Sequence, residues 1–321
     1  MIGRARSISI GLAILLAAVL LYFSLRGIDW HEVWRLVSHA RPDWLVLSAS
    51  LATLALFLRA FRWRVLLLAA GPVSVADAFW ATAAGFFGNN FLPARAGEIV
   101  RTVMVAGSSR LERAFVLATA LSERVVDAVV LVAISALVIL AMPAQPGWLT
   151  GAARSMAVVG LAGVAIIAVL PFMEGVALTM TRRMPMPAGL RPRVDAAVGH
   201  GLEGIRTFHD PSRLGVFLAL TAVIWSLDAM GTVLASAALG LTMPVGAAFL
   251  LIAALGLASA LPSTPGYVGI YQFVAVTVLV PFGFSRTDAI AYILVAQALM
   301  YVVVGLWGSI GLLRTRRVRS K

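Results

Sequence analysis

Six long apolar runs, at 8–25, 44–58, 128–142, 156–173, 214–239 and 289–313, set the terms on which this chain can fold. Most of them reach or approach the roughly 20 residues that a bilayer-spanning helix needs. Only 12% of the residues are charged and 61% are hydrophobic, against about 25% charged in soluble domains. Strand-like alternation with regular turns is absent, which argues against an outer-membrane barrel. The fold class expected is all-α, a polytopic integral membrane protein.

Charge then orders the runs. The chain has 26 basic and 14 acidic residues, net +12, and Lys321 is the one lysine. In a soluble protein this balance would suggest nucleic acid. Here the arginines sit in short loops beside apolar runs, where they set topology, so no nucleic-acid partner is expected. There is no Cys, and the four His (31, 39, 200 and 209) lack metal-ligand spacing, so neither a metal nor a cofactor is expected. Arg4 and Arg6 keep the N-terminus in the cytoplasm ahead of an uncleaved first span at about 8–25. The loop 26–43, with Trp30, Trp34 and Trp44, suits a helix lying at the headgroups. Span 2, about 44–60, returns to Arg59, Arg62 and Arg64, read as a cytoplasmic cluster.

The segment 85–101, GFFGNNFLPARAGEIVR, is the first anomaly. A full span at 76–92 would leave Arg95, Arg101, Arg110 and Arg113 outside, against the positive-inside rule. A hairpin over about 76–106, broken at Pro93, returns Arg110 and Arg113 to the cytoplasm. Span 3 (114–141) and span 4 (153–173) follow, then a cytoplasmic loop 174–213 and span 5 (214–239). A second interruption, GLASALPSTPGYVGI at 256–270, splits the apolar region 246–282. Span 6 (288–313) ends inside at RTRRVRSK. The expectation is one transmembrane domain over 1–321: about six spans and two broken re-entrant hairpins entering from opposite faces, with both termini cytoplasmic. Facing interrupted segments are the sequence pointer to a transporter-type site.

Polar residues at membrane depth mark the candidates. Asn89 and Asn90 can satisfy backbone groups freed by Pro93. Gly97 opens a half-helix whose N-terminus favours an anion, and Arg95 adds a charged fork beside it. Glu98 and Arg101 are spaced to face one another on that helix. Span 3 carries Glu123, Arg124 and Asp127, with Glu123 roughly 16 Å from the helix start. The second break holds Pro262, Ser263, Thr264, Pro265, Gly266, Tyr267, Gly269 and Gln272, where glycine permits close backbone approach. Asp228 and Gln297 are isolated polar residues, read as bundle contacts. No GxSxG, HExxH or Walker pattern is present.

Three stretches, NNFLPARAGEIVR (89–101), ERVVDAVVL (123–131) and LPSTPGYVGIYQ (261–272), resemble the signature regions of the lysylphosphatidylglycerol synthase transmembrane-region family. That family includes the flippase-like membrane half of the bacterial multiple peptide resistance factor, and stand-alone members. The resemblance implies lipid movement between leaflets of the bacterial inner membrane, with a lipid as substrate. Arg95 and Arg101 would then bind phosphate, and Glu98, Glu123 and Asp127 would set cavity charge or exchange a proton. The chain ends at 321 without a soluble aminoacyl-transferase domain, so lipid aminoacylation, and enzyme activity generally, is not expected. A lipid-modifying enzyme, a small-ion transporter and an accessory protein are the rival readings. A homo-oligomer or a lipid-synthesising partner stays open.

Overall fold

The computed structural model describes residues 15–91, 96–141, parts of 151–180, 190–259 and 265–319. Its regular elements are α1 (Leu15–Leu25), α2 (Trp30–Ser38), α3 (Pro42–Leu67), α4 (Val75–Phe91), α5 (Gly97–Ser108) and α6 (Arg113–Ala141). They continue with α7 (Arg191–Arg206), α8 (Pro211–Ala238), α9 (Val245–Ala258), α10 (Ile270–Leu279) and α11 (Arg286–Arg319). No strand occurs among the described residues. The chain is an all-α, polytopic membrane protein.

Among the described residues, three helices are long and apolar enough to cross a bilayer: Pro42–Leu67, Pro211–Ala238 and Arg286–Arg314. At 1.5 Å per residue each is at least about 39 Å long, more than the roughly 30 Å hydrocarbon core. They correspond to the expected spans 2, 5 and 6. The expected span 3 is α6, whose 29 residues are of spanning length and carry the acidic–basic set. Span 1 is described from Leu15 onward, and most of span 4 lies outside the described residues.

Several helix starts are capped by polar side chains. Asp29 accepts from the His31 and Glu32 amides at 2.9 and 3.1 Å, and Asp210 accepts from Ser212 at 2.9 Å. Ser74 accepts from the Asp77 amide at 3.0 Å, and Ser285 and Asp288 cap one another reciprocally at 3.1 and 3.0 Å. Each satisfies amides that a helix start leaves without partners. Pro follows the cap in α3 and α8, where its missing N–H costs nothing.

α2 turns Val33 inward and leaves Trp30 and Trp34 exposed, as an interfacial helix requires. Its polar face stays charged, because a hydrogen bond from Arg35 holds the Glu32 carboxyl below its usual range.

α4 and α5 form an antiparallel hairpin. Gly85 faces both Gly97 and Arg101, and Asn89 faces Gly97 and Glu98, so the paired positions rise on one helix as they fall on the other. Their described lengths of 17 and 12 residues correspond to about 26 and 18 Å, against a hydrocarbon core of roughly 30 Å. α9 and α10, of 14 and 10 residues, pack on each other as the second pair. α11 lies against α4 through Gly308 and Gly311, which sit on the backbone at Ala83 and Trp80. This is the small-residue contact that lets membrane helices approach closely.

Candidate functional site

The charges of α3, α5 and α6 converge on one buried network. Arg62 donates to Glu123 (2.7 Å) and makes a fork onto Asp127 (2.7 and 2.9 Å), with a further bond to Thr221 of α8 at 2.7 Å. Arg101 donates to Glu123 at 2.9 Å and to the Ala120 carbonyl at 3.0 Å. Its Nε lies 2.5 Å from Glu98 Oε2, an ion-pair contact out of line for a hydrogen bond. Arg124 donates to Glu98 at 2.9 Å and lies 4.0 Å from Asp127. Three guanidinium groups thus face three carboxylates, and the set is neutral. Neutrality and close pairing of each charge are what make buried charge tolerable.

The sequence reading of Arg62 as part of a cytoplasmic cluster is corrected here. α3 continues past the apolar run to Leu67, and Arg62 is 1% exposed, over the Phe217 ring. Arg59 likewise turns into the bundle and pairs with Asp228 of α8, which is therefore not isolated. The expectation that Arg101 binds phosphate is also corrected. Glu98, Glu123, Ala120 and the Trp63 ring enclose its guanidinium, so it is a strut. Arg124 differs from the other two, with 35% of its side-chain surface open.

The break of the first hairpin is closed from inside. Asn89 Oδ1 accepts from the Gly97 amide at 3.0 Å, and its Nδ2 donates to Glu98 at 3.2 Å. The α5 start is thus already partly capped by protein. Asn90 is buried, donating to the Phe86 carbonyl at 2.9 Å, and its Oδ1 has no donor among the described residues. Gly97 is a contact as well as a break, because a Cβ there would overlap the Gly85 carbonyl oxygen. Pro93 and Arg95 lie outside the described residues, as do Pro262, Ser263 and Thr264.

The second break is built the same way. Pro265 opens a tight turn through Gly266 (φ 74°) and Tyr267 (φ 59°), the latter an unusual conformation for a side-chain-bearing residue. Gly269 needs its φ of 90°, and α1 leaves no room for a Cβ there, at the Ala17 carbonyl. Gln272 accepts from the Gly269 amide at 2.7 Å and donates to Gln297 at 2.7 Å. Gln297 and Tyr301 both donate to the Gly266 carbonyl, Gln297 at 2.6 Å.

The two breaks meet. Tyr267 Oη donates to the Asn89 carbonyl at 3.3 Å, and Phe91 and Tyr301 have ring centres 5.7 Å apart. A polar seam therefore runs from Thr221 through Arg62, Glu123, Arg101 and Glu98 to Asn89. It then crosses to Tyr267 and ends on Gly266, Gln297 and Gln272. Sequence reasoning found most of its members, Tyr267 among them, but missed Thr221, Arg62 and Tyr301. The excess of Glu123 and Asp127 over Arg124 was the available signal for a distant cation.

The family model described as the lysylphosphatidylglycerol synthase TM region matches residues 8–308. The chain belongs to that family. The match contains both hairpins and the whole seam, so the lysylphosphatidylglycerol synthase transmembrane assignment and the geometry concern the same part of the chain. It supports a membrane lipid-related role. No curated protein and no solved structure matches the chain.

Proposed function

We propose that this protein moves a phosphate-bearing lipid between leaflets of the bacterial inner membrane, acting as a transporter and not as an enzyme. Arg124 carries the reading. It lies about 16 Å along α6 from Arg113, yet a third of its side chain is open. A guanidinium open to hydrocarbon at that depth would be very costly, and arginines in spans face cavities or partners instead. Arg124 therefore faces a polar cleft at the hairpin tips and offers its open edge to a headgroup phosphate.

The two hairpins would be re-entrant, entering from opposite faces and meeting at the Asn89–Tyr267 contact. Irregular backbone at membrane depth is tolerated only where protein or water covers it, and the side-chain caps on Gly97 and Gly269 suit that setting. Glu98 holds both Arg101 and Arg124, so it positions the headgroup cation as well as balancing it. The acyl tails would stay in lipid while the headgroup passes through the seam.

The test is leaflet accessibility of fluorescent phospholipids in liposomes containing the purified protein, with and without a proton gradient. The wild type is expected to expose inner-leaflet lipid to an external quencher. Arg124→Gln and Glu98→Gln are expected to slow this about tenfold or more, the size of a lost charge-assisted contact. Unchanged rates in both variants would remove the seam from the mechanism, and turnover of a labelled lipid to a new product would favour an enzyme.

A further inference from the structure

A second cluster of donors borders Arg124 and is not used by the seam. Phe86 of α4 has two guanidinium groups near its ring: Arg124 Cζ at 5.3 Å and Arg59 Cζ at 5.7 Å from the centroid. The two cations are thus within about 11 Å of one another. Arg59 is neutralised by Asp228, which takes both of its terminal nitrogens and leaves the Nε–H without an acceptor among the described residues. The pair is partly open, at 15% and 19%. Beside it, Arg59 Cζ lies 5.5 Å from the Trp225 ring, and the buried Trp225 Nε1–H has no acceptor among the described residues. A buried donor left unpaired is costly and is a place where an acceptor is missing.

The two guanidinium groups beside Phe86 differ in what they can attract. Arg124 offers a cation on a side chain that is one-third exposed. Arg59 offers an N–H whose charge Asp228 cancels, next to an indole N–H and two aromatic faces. That second set suits an uncharged acceptor on a largely apolar molecule. A glycerophospholipid carries such an acceptor, its acyl ester carbonyl, only a few bonds from the phosphate, and its acyl chains suit the aromatic flank. We propose that Arg59, Asp228 and Trp225 form a second ligand station, which takes an ester carbonyl of a glycerophospholipid while the phosphate of the same molecule lies on Arg124. Asp228 is a positioning residue, fixing Arg59 and removing its attraction for a second phosphate. The proposal rests on the lipid reading above and narrows it to ester-linked substrates.

The experiment compares equilibrium binding of short-chain diacyl and dialkyl ether glycerophospholipids with the same headgroup to the purified full chain, by calorimetry. Ethers keep the phosphate and the chains but lack the carbonyl. A site built to hydrogen-bond a group rejects the analogue that lacks it, so the wild type is expected to bind the diester about tenfold more tightly or better. Trp225→Phe, which keeps an aromatic ring, and Arg59→Gln with Asp228→Asn, which keeps the pair neutral, should each bring that ratio toward one. Equal binding of the two lipids by the wild type overturns the station but leaves the lipid reading intact. A preference that survives in both variants also overturns it. Binding of neither lipid overturns the station and the lipid reading together.

Discussion

Replacing Arg62 with Met should abolish folded, monodisperse protein. Arg62 supplies both short bonds to Asp127 and one side of Glu123. Without it Glu123 keeps Arg101, but Asp127 is left with Arg124 at 4.0 Å. Breaking a buried ion pair by removing one partner costs about 3–5 kcal/mol, because an uncompensated charge remains. Set against total stabilities of roughly 5–15 kcal/mol, that is a large fraction. The double variant Arg62→Met with Asp127→Asn restores equal numbers of cations and anions, and should recover most of the folded yield and melting temperature. Size-exclusion profiles and thermal melts in detergent check both. A single variant as stable as the wild type would mean that the network is not what ties α3 to α6.

Gly97→Ala should do comparable damage by another route. The added methyl overlaps the Gly85 carbonyl oxygen and crowds the Asn89 amide. Backbone cannot step aside as a flexible side chain can, so α4 and α5 must separate. The Asn89 cap on Gly97 and the Glu98 contacts to Arg101 and Arg124 would loosen with them. Overpacking of this kind costs about 1–3 kcal/mol or more. The expected result is a lowered melting temperature together with loss of lipid translocation. Gly199→Ala is the control, since nothing lies near its added methyl, and it should behave as the wild type.

The positions of the elements were legible because apolar runs, prolines and arginine-bearing loops are all local signals, although α3 runs on to Leu67, past the end expected near 60. The hairpin expected over about 76–106 followed from Pro93 and from where Arg110 and Arg113 had to lie, and α4 (Val75–Phe91) and α5 (Gly97–Ser108) pair in antiparallel fashion there. Asn89 was expected to satisfy freed backbone groups, and it does so at the Gly97 amide. Arg62 was misread for a physical reason. An arginine at the end of an apolar run reads as a membrane boundary unless its carboxylates are visible, and those lie in α6, 61 and 65 residues further along the chain. Arg59 and Asp228 were separated in the same way, by 169 residues. Tyr301 carries no charge, and a tyrosine in a span reads as packing until a facing carbonyl, here that of Gly266, is known.

The hairpin arrangement is tested most directly by single-cysteine labelling, for which the chain, having no Cys, is ready as it stands. Cysteines at the exposed positions Ser74 and Ser108 bracket the first hairpin, and Thr242 and Ser285 bracket the second. A membrane-impermeant maleimide is applied to oriented vesicles from each side. Re-entrant hairpins predict that 74 and 108 label together from the cytoplasmic side and that 242 and 285 label together from the other. Labelling of 74 and 108 from opposite sides would make that segment a full crossing and contradict the account.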